Sequence, residues 1–534
     1  MEVDLAYVIL VATIVGLLYR WLTKNHDYFN GKPVPALAVK PIFGSTASTI
    51  LRQVSFTGFI KTLYDKYAGV KVFGLFDANT PIFVIRDPEL IKKIGVKDFD
   101  HFMDHRPIFG PSDSDHPNVL FPKTLFAMTD QKWRNMRATL SPAFTGLKMR
   151  QMFELIVECS ENMVRFYQNE SSQPRVYEMK DVFSRFTNDV IATCAFGIKV
   201  DSMRQPDNEF YVNGKKMMAF RRISVMVRML AYRFIPKIMS KLGIDFMDQE
   251  QNTYFSALIK DAVRTRETQG IVRPDMINLL MLARKGMLQH QQEAEKHEGF
   301  ATVQESEVGK AASTWAMTEN EMIAQCLIFF LAGFDTVSTC LIFLSYELAL
   351  NKEVQEKLYE EILATHQSLE GKSLTYDAIQ KMKYMDMVVT ESLRMWPPVP
   401  TIDRICVRNY ELNDGEGLKF TIEKGAGVWF PAHGLQHDPK YYPTPEKFIP
   451  ERFSDENKGN IIMETYLPFG IGPRNCIGSR FALMEVKSIV YHMLMYFSFE
   501  RCEQTQVPLQ LAKGFLALSP EKGIHIQFRP RKAV

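Results

Sequence analysis

The chain has 534 residues, 46% of them hydrophobic and 23% charged, with a formal net charge of only +3. That composition fits a large globular body, and so small a charge excludes the electrostatic footprint of a nucleic-acid binder. The seven cysteines are odd in number, widely spaced and without a CxxC pair, which excludes a disulfide framework or zinc module and points to a reducing compartment.

The first predicted element is a membrane anchor over residues 1–24. LAYVILVATIVGLLYRWL, residues 5–22, is apolar apart from Thr13 and Arg20 and about long enough to span a bilayer. Glu2 and Asp4 precede it and no A-x-A site follows, unlike a cleaved secretory signal. Positive charge lies downstream at Arg20, Lys24, Lys32 and Lys40, so the body is expected on the cytosolic side. Residues 25–45 carry Pro33, Pro35 and Pro41 and read as a stiff hinge. Residues 46–534 read as one catalytic domain without internal repeats.

Within that domain VKVFGLF and TPIFVI read as short strands, and MRQMFELIVECSENMVRFY as an amphipathic helix. Between residues 215 and 241, eight Lys and Arg residues alternate with Met, Val, Leu, Tyr and Phe and no acid intervenes. This predicts a helix pair resting on lipid, or a solvated face over a core stripe. Residues 285–313 are polar and read as a mobile surface connection. Thr318 to Glu321 form a capping-box pattern that starts a helix running to about Leu350. Gln325, Asp335 and Glu347 make that helix a costly membrane span despite its apolar density. Its centre, Ala332-Gly333-Phe334-Asp335-Thr336, breaks the local rules with a glycine, an acid and a hydroxyl in a buried helix. Gly333 is expected to leave room for a flat or small ligand, Thr336 to hydrogen-bond it, and Asp335 to pass protons.

Farther on, Glu391 and Arg394 stand at i, i+3 on a helix that Pro397 ends, and Arg452 in FIPERF is a candidate third member of a buried charge network. Strands are expected again near LKFTIEKGAGVWF and at GIHIQF. Trp133 and Arg137 lie one helical turn apart; with Arg404 and Arg474 they form a donor set suited to the two carboxylates of a bound macrocycle. The loop PFGIGPRNCIG then places Cys476 among Gly470, Gly472 and Gly478, two residues after Arg474.

In this order the motifs resemble those of the cytochrome P-450 superfamily. FGIGPRNCIG is similar to its haem loop, AGFDT to its oxygen-binding helix, ESLR to its ExxR, PERF to the segment that follows, and WRNMR to its helix C signature. The resemblance covers the whole chain after the anchor, and RPDMINLLM with the long polar loop resembles insect members of the xenobiotic-metabolising microsomal branch. It implies a mainly α fold with small β-sheets, a triangular helical prism, plus the anchor helix. It implies haem b (iron protoporphyrin IX), with Cys476 as axial thiolate and Phe469, Gly470 and Gly333 close to the macrocycle. Trp133, Arg137, Arg404 and Arg474 would hold the propionates, and Glu391, Arg394 and Arg452 would brace the cysteine side. The family has a further propionate-binding arginine where this sequence has His105, a departure that leaves that contact open.

The implied chemistry is that of a monooxygenase. Thiolate ligation favours O–O cleavage, and Asp335, Thr336 and Cys476 would be the catalytic residues. The sequence has no G-x-G-x-x-G loop and no flavin region after the cysteine. Electrons are therefore expected from a separate NADPH-cytochrome P-450 reductase in the endoplasmic reticulum membrane, with cytochrome b5 as a further donor. Lys132, Arg134, Lys148, Arg150 and Arg480 are candidates for the docking face. The substrate pocket is expected from residues 108–125, 211–247 and 329–334 and those after Pro398, and would take bulky apolar molecules such as plant toxins, insecticides or lipids. An isomerase or dehydratase that needs no reductase, a haem-based carrier, and an endogenous lipid or hormone hydroxylase are the alternatives.

Overall fold

In the computed structural model, residues 5–107, 116, 119–170, 172–219, 222–288, 299–311, 315–514 and 518–532 are described. Helices dominate, and the sheets are small and peripheral. An exposed helix α1 (Leu5–Thr23) leads into the body. The elements that matter for the site are α2 (Asp130–Leu140), α3 (Gly146–Glu170), α4 (Met179–Ile191), α5 (Ile223–Phe234), α6 (Glu319–Leu350), α7 (Lys383–Met395) and α8 (Ser479–Tyr496).

Helix α6 is the axis of the body. Its N-cap Thr318 accepts from the Glu321 amide at 3.2 Å, and Glu321 accepts back from the Thr318 amide at 2.8 Å, so the capping box forms as its sequence predicts. Although long and apolar enough to cross a bilayer, it is mostly buried inside the protein. Apolar residues all round suit a helix enclosed by others. It packs along α4, while α8 packs along α3.

Among the described residues, nine strands form three sheets. β1 (Val72–Asp77) pairs antiparallel with β2 (Thr80–Ile85), β2 pairs parallel with β7 (Gly427–Phe430), and β7 pairs antiparallel with β4 (Ile402–Ile405). β5 (Tyr410–Asn413) and β6 (Lys419–Ile422) form a hairpin; β3 (Arg175–Glu178), β9 (His525–Pro530) and β8 (Phe497–Glu500) form the third sheet. β4 carries Asp403 and Arg404 into the interior from the edge of the first sheet.

Two segments differ from their sequence reading. Residues 25–45, expected as a hinge, lie packed on the first sheet: Leu37 donates to the Gly74 carbonyl at 2.8 Å, Lys32 pairs with Glu423 at 2.7 Å, and buried Phe29 sits where a Cβ on Gly74 would be. Residues 299–311, expected as a mobile surface connection, are also docked on the body; Ala301 and Gly309 are buried there. Residues 289–298 and 312–314 of that connection lie outside the described residues.

Candidate active site

Cys476 ends a tight loop. Its amide donates to the Phe469 carbonyl at 2.8 Å, closing residues 469–476 on themselves. Gly470 and Gly472 take φ of 80° and 70°, backbone that L side chains rarely adopt. A Cβ at Gly472 would also overlap the Gly95 carbonyl, so this glycine serves the loop's own path. The thiol is exposed by area, yet burial pushes its pKa up, opposed by the Gly478 amide hydrogen bond to sulfur and by the Arg137 guanidinium. A thiol accessible to a probe but desolvated faces an interior cavity.

The same signature marks α6. Ala332 and Thr336 are exposed in the middle of an otherwise buried helix, with Ile328 and Phe329 half-buried on the same face. Phe144 joins the two walls: its ring lies 5.4 Å from that of Phe329 and within 3.8 Å of a Cβ built on Gly478. Leu125 joins them again, its amide donating to Gln325 on α6 at 2.7 Å and its carbonyl accepting from Arg474 at 3.1 Å.

Buried guanidiniums line one side. Arg474 lies 4.1 Å over the Trp133 ring, donates to the carbonyls of Met103, Leu125 and Met128, and pairs with Asp104 at 3.3 Å. Arg404 donates to the carbonyls of Asp403 and Ile471, and its Nε has no partner. Burial pushes Arg474 down to about 9 and Arg404 down to about 10, with only partial relief from nearby carboxylates. Cations so placed favour an added anion.

A family model described as Cytochrome P450 matches residues 34–528. Cytochrome P450 9e2 of Blattella germanica is 41% identical over 99% of this chain and 97% of its own length, and Probable cytochrome P450 9f2 of Drosophila melanogaster is 42% identical over 98% of each. The chain belongs to the cytochrome P450 family. Its similarity to these relatives places it among the insect members, and Cytochrome P450 3A2 of Rattus norvegicus is also similar at 35% identity over 98% of the chain. As a cytochrome P450 it is an oxidoreductase, a monooxygenase whose cofactor is haem b.

The residues present fit that cofactor. A single thiol opens onto the cavity, and the unpartnered Nε atoms of Arg404 and Arg137 provide a place for carboxylates. His105, at the departure from the family pattern, hydrogen-bonds Asp403 through Nδ1 at 2.9 Å and stacks on Phe126 at 4.7 Å. Burial pushes it below the ordinary histidine value.

Several sequence expectations change in detail. Arg137, expected toward a carboxylate of the cofactor, gives its terminal nitrogens to Glu305 at 2.7 Å and to the Asn475 carbonyl at 2.8 Å, leaving only Nε unpartnered. Gly333, expected to make room for a ligand, makes room for Ile191 of α4, whose Cδ1 a Cβ would overlap; Ala332 is the small residue on the cavity face. Phe330 of the expected pocket interlocks with Phe210 and Phe255 in the core, and Phe334 packs on Phe330 and Tyr211, away from the Thr336 face. Within the expected 108–125 wall, residues 108–115 and 117–118 lie outside the described residues.

Asp335 and Thr336 diverge. The Thr336 hydroxyl donates to the Ala332 carbonyl at 2.6 Å on the cavity face. Asp335 points toward α4, where Lys180 pairs with it at 2.7 Å and also reaches Ser338 at 3.1 Å. On the far side of the cysteine loop, Glu391, Arg394 and Arg452 meet as expected. Arg394 pairs with Glu391 at 2.6 Å and Arg452 reaches Glu391 at 3.3 Å. Arg394 also donates to the Gln436 and Pro445 carbonyls, tying α7 to the segment before the cysteine loop.

Proposed function

We propose that this cytochrome P450 inserts oxygen into bulky apolar substrates, xenobiotics such as plant toxins or insecticides, using electrons from NADPH through a separate membrane flavoprotein reductase. What supports the reading is that Cys476 and the Ala332–Thr336 face are both exposed within a buried surround, with Phe144 packed between Phe329 and the cysteine loop. When bound, haem supplies activation of molecular oxygen and delivery of one oxygen atom to carbon, the other leaving as water. Cys476 would hold its iron, and Arg404, Arg474, Trp133 and His105 would hold its carboxylates, with Arg137 contributing Nε.

The chain's own part in turnover is positioning and proton management. Ala332 keeps the helix face low, Ile328 and Phe329 exclude water, and the Thr336 hydroxyl stands ready to hold a proton donor over the cavity. Asp335 with Lys180 links that helix to the half-exposed surface of α4, a route by which protons are resupplied.

The anchor reading rests on α1, whose exposed apolar surface has the length of a bilayer core at about 1.5 Å per residue. Trp21 of α1 contacts Phe234 of α5 at 5.5 Å, and α5 presents Ile223 (78% exposed) and Val227 (60% exposed) outward. That stripe favours the lipid reading of residues 215–241, although Lys216, Arg222, Arg228 and Arg233 have acidic partners in Glu250, Asp248 and Asp77. Together they support an endoplasmic reticulum membrane protein with its body on the cytosolic face. The expected docking residues lie near the starts of α2, α3 and α8, with Arg134 and Arg150 paired to Asp100 and Asp377.

The test is reconstitution with reductase and NADPH against a toxin panel and an endogenous lipid panel. Oxygenated toxin products that require NADPH are expected. Product without NADPH would establish an isomerase or dehydratase, ligand binding without NADPH or oxygen use a carrier, and products from the lipid panel alone an endogenous hydroxylase.

A further inference from the structure

The polar connection before α6 contains a segment that its composition disguises. At one end, Gly299 packs against Asp386 so closely that a Cβ would overlap the carboxylate, and the Phe300 amide donates to Asp386 at 2.9 Å. Asp386 is paired in turn with Lys487 of α8 at 2.7 Å. The Phe300 ring sits between Phe453 and Tyr466, at 5.0 and 5.3 Å. At the other end, both Glu305 carboxylate oxygens accept from Arg137, at 2.7 and 2.9 Å, and Ser141 donates to the same group at 2.9 Å. Gly309 closes behind it, where a Cβ would overlap that carboxyl group. Between the two ends, Asn475 donates to the Gln304 carbonyl at 3.2 Å.

Arg137 continues the chain of contacts. It donates to the backbone carbonyl of Asn475 at 2.8 Å and to its Oδ1 at 2.9 Å, and Asn475 immediately precedes Cys476. Every link from Glu305 to the cysteine is thus a hydrogen bond or a peptide bond. We infer that residues 299–310 form a strap bracing the cysteine loop from behind, with Glu305 as the positioning residue that fixes Arg137 and, through Asn475, Cys476. The strap rests on the haem-thiolate reading and assigns it a second function: the carboxylate compensates a cation that acts on the sulfur. Without it, a cofactor carboxylate at Nε would be the anionic partner left to Arg137, so more positive charge would act beside the ligand, which lowers the sulfur's donation and makes the bound iron easier to reduce.

The experiment compares full-length haem-loaded protein with E305A, E305Q and E305D, and with E307A as control, since Glu307 is exposed on the same strap and pairs with the exposed Lys310. In mild urea, E305A is expected to lose the thiolate-type carbon monoxide band about tenfold faster, as a partly buried ion pair is broken. E305D should restore most of the lifetime. E305A and E305Q should show a more positive reduction potential, whereas E307A should match the parent in both measures. E305Q keeps the side-chain shape, so its potential decides the matter if E305A does not fold. A parent with the band whose Glu305 variants all behave as E307A overturns the strap. A parent without the band overturns the haem-thiolate reading itself.

Discussion

On the cysteine side of the cavity, Arg474 is gripped by four carbonyls and Asp104, Arg137 by Glu305 and Asn475, and Arg394 by Glu391 and three carbonyls. On the opposite side, α6 offers Ile328, Phe329, Ala332 and the lone hydroxyl of Thr336. Buried charges cost several kcal/mol each unless every donor is met, so the first wall tolerates little change in geometry. An apolar wall is held by packing alone and can be reshaped at modest cost. The comparison separates two duties: the charged wall fixes which chemistry is possible, and the apolar wall decides which molecule undergoes it.

The largest effect is expected where the charged wall loses a member of its deepest pair. Glu391→Gln leaves the buried Arg394 guanidinium uncompensated, at a cost of about 3–5 kcal/mol. It should yield little haem-loaded protein, measured as recovered haem per unit of folded protein; normal loading would break the comparison. A smaller loss is expected at the edge of that wall, where Arg106 and Arg233 flank Asp77 at 2.6 and 2.8 Å. Burial works to raise this carboxyl, but the two guanidiniums hold it down to about 2. Its folded value lies below the unfolded one. The contribution, about 2 kcal/mol, is therefore present above the ordinary carboxylate value near 4 and is lost as pH falls through about 2. Urea midpoints should fall between pH 4 and pH 2.5 in the parent, with a shallower fall in Asp77→Asn.

The apolar wall should respond differently. Thr336→Ala is expected to keep the thiolate-type band but to lower product formed per NADPH several-fold, the surplus reducing power appearing as hydrogen peroxide, a change of about 1 kcal/mol in partition. Ala332→Leu should raise KM for bulky substrates more than for small ones and leave the band unchanged. Loss of the band in either variant would erase the distinction between the walls.

Much of this was legible in local pattern. The Thr318 capping box, three of the four strands of the first sheet, and the order of Asp335-Thr336, Glu391-Arg394, Arg452 and Cys476 are short-range signals that folding preserves. What could not be read was the identity of distant partners. Lys180 lies far from Asp335 in the chain, and only the packing of α4 on α6 reveals the pair. Gly333 broke a helix rule for the sake of Ile191 rather than a ligand, a distinction that spacing does not carry. Glu305 was least visible, because a carboxylate in a polar stretch resembles solvent-facing charge until the cysteine loop folds beneath it.

The most direct measurement is the carbon monoxide difference spectrum of the reduced, haem-loaded protein beside its Cys476→Ser variant. The account predicts the red-shifted Soret band of a thiolate-ligated haem in the parent and its complete loss in the variant. A well-folded, haem-loaded parent without that band, or a Cys476→Ser protein that retains it, would contradict the assignment.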